Sequence, residues 1–389
     1  MRARPNAWRV LAVAVVAQLG VSVIDQGLPT LTGFIKADLG LTAAVAGLTV
    51  SSFAIGKIFG AYAAGVAADR FGERRVLILG SLVAAVLVAV AAATPFPAFT
   101  IFLLLAGMAG SASTPAGGRL VLLAFPRNRH GLALGIRQTG IPIGGLIAAA
   151  VLPWFAGMSS WRWSLVVAAG IAMVAALPLI FLPSDRSSAG ELRSHDAPLR
   201  RLHDRNLALL TIWGCLVVTG QYALLAFLAL YLHERFGLSL EKGSLLVAAA
   251  NASGIVGRVA WGAVSDRALS RGRKPLLLVL TAACLVGALG LFLVPQSAST
   301  GEVAGLAVLA GLTLIGYQGL WVTMVAESAG PARVGAATGL AVTFVTISIA
   351  LSPPFYGLVS DIAGTYRAIW GVLSVILAIA FIPALLIRE

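Results

Sequence analysis

Twelve apolar runs, each about long enough to cross a bilayer, dominate this chain. They fall near 8–30, 43–67, 76–95, 98–123, 131–156, 163–183, 207–232, 243–265, 275–295, 303–326, 335–358 and 366–387, with charged or Pro/Gly turns between them. A membrane helix uses about 20 apolar residues. Twelve of them consume most of the 389 residues and leave short loops. Charged residues make up 11% of the chain and hydrophobic ones 59%, against about 25% charged in soluble domains. A chain so composed cannot clothe itself for water. The expectation is an all-α membrane protein with the lipid bilayer as its solvent, which excludes a soluble enzyme, a disordered chain and a disulfide scaffold.

The net charge of +13 does not point to nucleic acid, because the basic residues are dispersed between apolar runs rather than gathered on one tail. Cys215 and Cys284 each sit inside an apolar run and read as small core residues. The basic start Met1–Arg9 followed by Val10–Leu28 imitates a signal peptide. That run is too long, carries Gln18 and Asp25, and lacks a small-residue cleavage site, so it reads as the first membrane helix. The one long polar stretch divides the chain into a six-helix half at 1–183, a linker at 184–206 and a second half at 207–389. With the N-terminus in the cytoplasm, twenty of the 28 Lys and Arg fall in inside loops, Arg119 among them, and five fall outside. The positive-inside rule then places both termini and the linker in the cytoplasm, and the protein in the cell membrane.

The halves repeat. GVAADRFGERR (Gly65–Arg75) matches GAVSDRALSRGRK (Gly262–Lys274), with Asp69 and Asp266 separated by 197 positions. RHGLALG (Arg129–Gly135) matches RVGAATG (Arg333–Gly339) at an offset of 204, and SWRW (Ser160–Trp163) matches TYRA (Thr365–Ala368) at 205. Parallel repeats of this kind build one large transporter architecture.

On these marks the chain resembles the major facilitator superfamily along essentially its whole length. The most specific motif is G-x-x-x-D-R-x-G-x-[RK]-[RK], present as Gly65, Asp69, Arg70, Gly72, Arg74 and Arg75; Gly262, Asp266, Arg267, Arg273 and Lys274 form a degenerate second copy. The resemblance implies two pseudo-symmetric six-helix bundles around a central midplane cavity, working as a rocker switch. Asp69, Arg70, Arg74, Asp266, Arg267 and Glu327 then read as gating residues: the acids answer helix N-terminal partial charge, and the basic residues pair with acids of the other half. The drug-exchanger signatures are incomplete. GIPIGG (Gly140–Gly145) has its proline one place late, and GMAGSASTPAGG (Gly107–Gly118) lacks the mid-helix arginine. Gly56/Gly60 and Gly140/Gly144 read as close helix packing.

Charge inside a membrane helix is costly and marks function by default. Asp25, Lys57, Arg137 and Arg258 are the candidates. Counting back from Asp266 and Asp69, helix rise puts Arg258 about 12 Å deep and Lys57 about 18 Å deep. Shifted by 197, Lys57 falls one turn from Arg258 on the same helix face, so both halves present a cation with no acid nearby in sequence. Such a pair calls for an anionic substrate. In monocarboxylate and nitrate/nitrite carriers of the superfamily a substrate-binding arginine stands where Arg258 stands in GRVAWGAVSD (Gly257–Asp266). Arg137, roughly 9–12 Å deep, either lines the inner vestibule or snorkels. Asp25 is the sole deep acid: alone it would carry the coupling proton, while pairing with Lys57 would hold it charged. By the resemblance, Asn251, Tyr222, Tyr317 and Gln318, with Gln221 and Trp321, fall on cavity-lining helices and supply hydrogen bonds.

The expectation is a proton-coupled secondary transporter of a small, monocarboxylate-like anion, acting as a monomer without cofactor or metal. The alternative is a proton-coupled drug or metabolite exporter. No nucleophile motif, metal-spaced cluster or nucleotide loop argues for an enzyme or for ATP as the energy source, and the four histidines fall in loops.

Overall fold

The computed structural model describes residues 6–41, 43–182, 205–267, 272–330 and 333–388. Residues 184–204 of the expected linker, like Arg2, Arg4 and Arg271, lie outside the described residues. Twelve helices among the described residues are long and apolar enough to cross a membrane: α1 Ala7–Leu39, α2 Ser51–Phe71, α3 Glu73–Ala93, α4 Ala98–Ala124, α5 Arg127–Met158, α6 Trp161–Phe181, α7 Arg205–Phe236, α8 Lys242–Arg267, α9 Lys274–Leu293, α10 Thr300–Ser328, α11 Val334–Ala363 and α12 Arg367–Leu386. Each overlaps one expected run, with ends that differ by up to nine residues. In hydrocarbon the backbone has no water to bond, so an apolar run of this length must close its own hydrogen bonds as a helix.

Polar residues set the ends. The Asn6 Oδ1 accepts the Trp8 amide at 3.0 Å to open α1. Ser299 and Glu302 form a reciprocal capping box at the start of α10. Between α2 and α3 the chain reverses at Gly72, whose φ of 96° favours glycine. That requirement explains the glycine within the loop motif.

The chain forms two compact units. One comprises Met1–Pro126, Ile136–Arg201 and Ala329–Thr343; the other comprises Arg127–Gly135, Leu202–Ser328 and Phe344–Glu389. In the first, α1 packs on α6, α2 on α4, and α3 on α6; in the second, α7 packs on α12, α8 on α10, and α9 on α12. The repeated sequence marks thus correspond to repeated packing. The beginnings of α5 and α11 each belong with the unit that carries the Asp they touch.

Among the described residues four helices change their winding within their apolar runs and then resume: α1 at Leu28–Leu31, α5 at Thr139, and α4 and α10. α4 consists of Ala98–Gly110 and Ser113–Ala124, with a turn at 111–112. α10 consists of Thr300–Ala310, a π-turn at Gly311–Ile315 and Gln318–Ser328. The turns at 111–112 and 316–317 lie 205 residues apart, so they are a further mark of the repeat. Broken helices in transporters expose backbone groups that bind substrates and ions.

Candidate functional site

At the basic ends of the helices, each copy of the loop motif caps a helix start. The Asp69 carboxylate accepts the amides of Gly335 at 3.0 Å and Ala336 at 2.7 Å, the first turn of α11. Asp266 accepts the amides of Gly131 at 2.8 Å and Leu132 at 2.7 Å, in the first turns of α5. Helix starts carry unpaired N–H groups and a partial positive charge, so a carboxylate there is doubly favourable. Glycines allow the approach: a methyl on Gly65 would strike the Gly335 carbonyl, and one on Gly262 would strike the Gly131 carbonyl. The repeated loop motif and the repeated helix starts are therefore partners.

Around these caps the basic residues divide. Arg119, counted above as a loop residue, lies inside α4 with its side chain 7% exposed. Its guanidinium pairs with Asp69 at 3.1 Å and with buried Glu73. Arg74 caps the end of α6 instead of meeting an acid, donating to the carbonyls of Leu179 at 2.9 Å and Ile180 at 2.5 Å. Arg70 sits over the Phe71 ring at 5.3 Å, and Arg267 is exposed. In the second unit, Glu327 gathers Arg273 at 3.1 Å, His130 at 3.2 Å and Arg127 at 3.7 Å. Arg273 also meets Asp266 at 3.3 Å. His130 and His233 lie in helices rather than loops, and His195 and His203 are outside the described residues. Replacing Arg119 with methionine strands two carboxylates. It should destabilise the protein by about 3–5 kcal/mol, read as a fall in melting temperature of the purified variant; unchanged melting would contradict the buried triad.

The intramembrane charges resolve into three groups. Lys57 Nζ lies 2.7 Å from Asp25 Oδ2, with side chains 25% and 16% exposed. Helix rise places the two at matching depth, but the acid that answers Lys57 is 32 residues away on a neighbouring helix, where sequence proximity does not reveal it. Arg137 is fully buried and neither snorkels nor faces an open vestibule. It donates to Gln18 Oε1 at 2.6 Å and to the Ser113 carbonyl, just past the break in α4. The Ser113 hydroxyl also donates to Gln18, at 2.8 Å.

Arg258 is 1% exposed, enclosed by protein rather than reaching for the membrane surface. Tyr317 and Tyr222 are its electrostatic neighbours. Methyls on Gly135 or Gly319 would strike its carbonyl, so α5 and α10 both press against α8 at this residue. Tyr317 is fully buried and meets the Trp213 ring edge-on at 5.7 Å. The Gln318 amide donates to Gln221 at 3.1 Å. Trp321 is a packing anchor, its indole bonded to the Leu210 carbonyl at 2.8 Å. Asn251 is partly exposed, seven residues before Arg258. The second unit thus brings Arg258, Tyr222, Tyr317 and Gln318 to the break in α10. The first unit holds the Asp25–Lys57 pair and the Arg137–Gln18 group. Sequence reasoning missed Gln18, Ser113, Glu73 and Arg119; Gln18 and Ser113 are signalled by a polar residue deep in an apolar run, Arg119 by one near the end of a run, and Glu73 lies within the loop motif itself.

Residues 10–353 match the Major Facilitator Superfamily. The chain is 30% identical to an uncharacterized MFS-type transporter of Mycobacterium tuberculosis, over 98% of this chain and 85% of that protein. It is 25% identical to a hexuronate transporter of Bacillus subtilis, over 86% and 83% of the two chains. Its fold superposes on the crystal structure of the E. coli fucose:proton symporter with a TM-score of 0.73 and 17% identity, over 98% of each chain.

Proposed function

The chain belongs to the major facilitator superfamily and is a multi-pass membrane transporter rather than an enzyme, and from that premise we propose that it carries a small organic anion by proton-coupled alternating access. The observation that carries this reading is Arg258: a guanidinium 1% exposed, beside two tyrosines and a break in α10. Its planar fork keeps its charge when buried and suits a carboxylate bidentately. The B. subtilis relative is named for hexuronate, a sugar bearing one carboxylate. Tyr222, Tyr317 and Gln318 supply neutral hydrogen bonds, and Asn251 extends the same face of α8.

Asp25 and Lys57 form the coupling pair in this reading. With Asp25 ionised, Lys57 is neutralised; with Asp25 protonated, Lys57 is released as a cation for the substrate carboxylate. Arg137 holds α5 to α1 and α4 through Gln18 and Ser113, and bears on substrate through that geometry. Asp69 and Asp266 make and break their caps as the transporter turns over, with Arg119, Arg273 and Glu327 as their counterweights. The basic ends that hold these caps face the cytoplasm of a cell membrane, by the dispersal of Lys and Arg.

A ligand-stabilisation screen of the purified protein tests the reading. Carboxylates should raise the melting temperature; stabilisation by cationic or neutral drugs alone would replace the anion reading with the exporter reading. Asp69→Asn should reach the membrane folded and lose transport by at least about tenfold, because charge-assisted bonds to the α11 amides are lost. Parental turnover in well-inserted Asp69→Asn vesicles would remove the gating role.

A further inference from the structure

The break in α10 leaves a main-chain carbonyl for another helix to hold. Through Gly311–Ile315 the chain winds as a π-turn, and the amides of Gly316 and Tyr317 both donate to the Thr313 carbonyl. The carbonyl one residue earlier, Leu312, accepts the Trp261 indole Nε1–H from α8 at 3.0 Å. An orphaned carbonyl is costly in a membrane interior, so this bond favours the π-turn over its alternatives. The same stretch lies hard against α8. A methyl on Gly257 would strike the Leu312 carbonyl and sit 2.9 Å from the Gly316 Cα; one on Gly254 would sit 2.5 Å from Ile315 Cβ.

Tyr317 and Gln318 follow the turn directly, and Arg258 stands three residues before Trp261 on α8. An α-helix advances about 100° per residue, and a π-turn accommodates one extra residue. Reversion of Gly311–Ile315 to α-helical winding would therefore rotate the following segment by about 100°. Tyr317 and Gln318 would then leave their present face of α10. The first unit has no counterpart to the indole: the position 197 residues before Trp261 is Ala64, which has no side-chain donor. There the broken helix is served by Arg137, which bonds the Ser113 carbonyl.

We propose that Trp261 is a positioning residue for the anion site: by holding the Leu312 carbonyl it fixes the π-turn, and the π-turn sets Tyr317 and Gln318 against Arg258. This rests on the reading of Arg258 as the anion-binding residue. The side chain acts through α10 and does not touch substrate.

The test compares parent, Trp261→Phe and Trp261→His in the same lipid nanodiscs. Phenylalanine keeps an aromatic ring and removes the donor; histidine returns an N–H. Hydrogen–deuterium exchange is followed across α10, and affinity is measured with D-glucuronate as the probe. In Trp261→Phe, exchange should rise in 311–317 and stay at the parental level in the other helices. Glucuronate affinity should fall by about 2- to 12-fold, the loss of one hydrogen bond, as a raised KM with kcat little changed. Trp261→His should recover part of both effects. Parental exchange in Trp261→Phe overturns the proposal, and so does raised exchange with unaltered glucuronate affinity. Failure of the anion reading has a separate signature: the parent binds no anion while exchange still rises in 311–317.

Discussion

Replacing Arg258 with glutamine should weaken binding of an anionic substrate by roughly 10- to 150-fold. The figure follows from charge-assisted hydrogen bonds worth about 1.5–3 kcal/mol each, at 1.4 kcal/mol per tenfold. Glutamine keeps much of the length and a donor but loses the charge and the two-pronged geometry. Arg258→Lys should recover part of the loss, because an ammonium is a point charge without a fork. The residue is enclosed by α5 and α10, whose glycines lie on its backbone carbonyl, so the substitution leaves the helix contact intact. Equilibrium binding with the strongest anion from the stabilisation screen checks the figure. Parental affinity in Arg258→Gln would mean that the anion is held elsewhere.

Asp25→Asn should abolish accumulation driven by a pH gradient while sparing exchange of substrate for substrate. For one coupled proton, a gradient of one pH unit supports about tenfold accumulation, since a unit of pH is 1.36 kcal/mol. Asparagine holds the site in its neutral state, with Lys57 released from the 2.7 Å ion pair, so the protein still binds and exchanges but no longer reads the gradient. In proteoliposomes with an imposed gradient the accumulation ratio should fall to about one. Retained pH-driven accumulation would make the Asp25–Lys57 pair a static bridge and place the coupling ion elsewhere.

The helices were legible because lipid allows few solutions: an apolar run of about 20 residues has to be a helix. The repeat was legible because Asp69 and Asp266 recur in similar strings, and the cap they make is the contact that a carboxylate at a helix start provides. The breaks in α4 and α10 were not legible. They fall at Ser111–Ala112, within a stretch of small residues, and at Gly311–Ile315, within an apolar one, where packing between helices decides the winding. Arg119 was misplaced for a related reason. It stands near the end of an apolar run, where a loop arginine and a buried one look alike until Asp69 and Glu73 close around it. The Asp25–Lys57 pair was left open in the sequence because its members lie on different helices, a relation that helix rise allows but does not specify.

Uptake of a matched pair of compounds tests the central claim most directly. The purified protein, reconstituted in liposomes, is offered D-glucuronate and its uncharged counterpart D-glucose under the same inward pH gradient. The reading of Arg258 as the anion-binding group and Asp25 as the proton carrier predicts concentrative uptake of glucuronate, no concentrative uptake of glucose, and loss of the glucuronate signal in Arg258→Gln. Equal transport of the two sugars, or glucuronate uptake that survives Arg258→Gln, would contradict it.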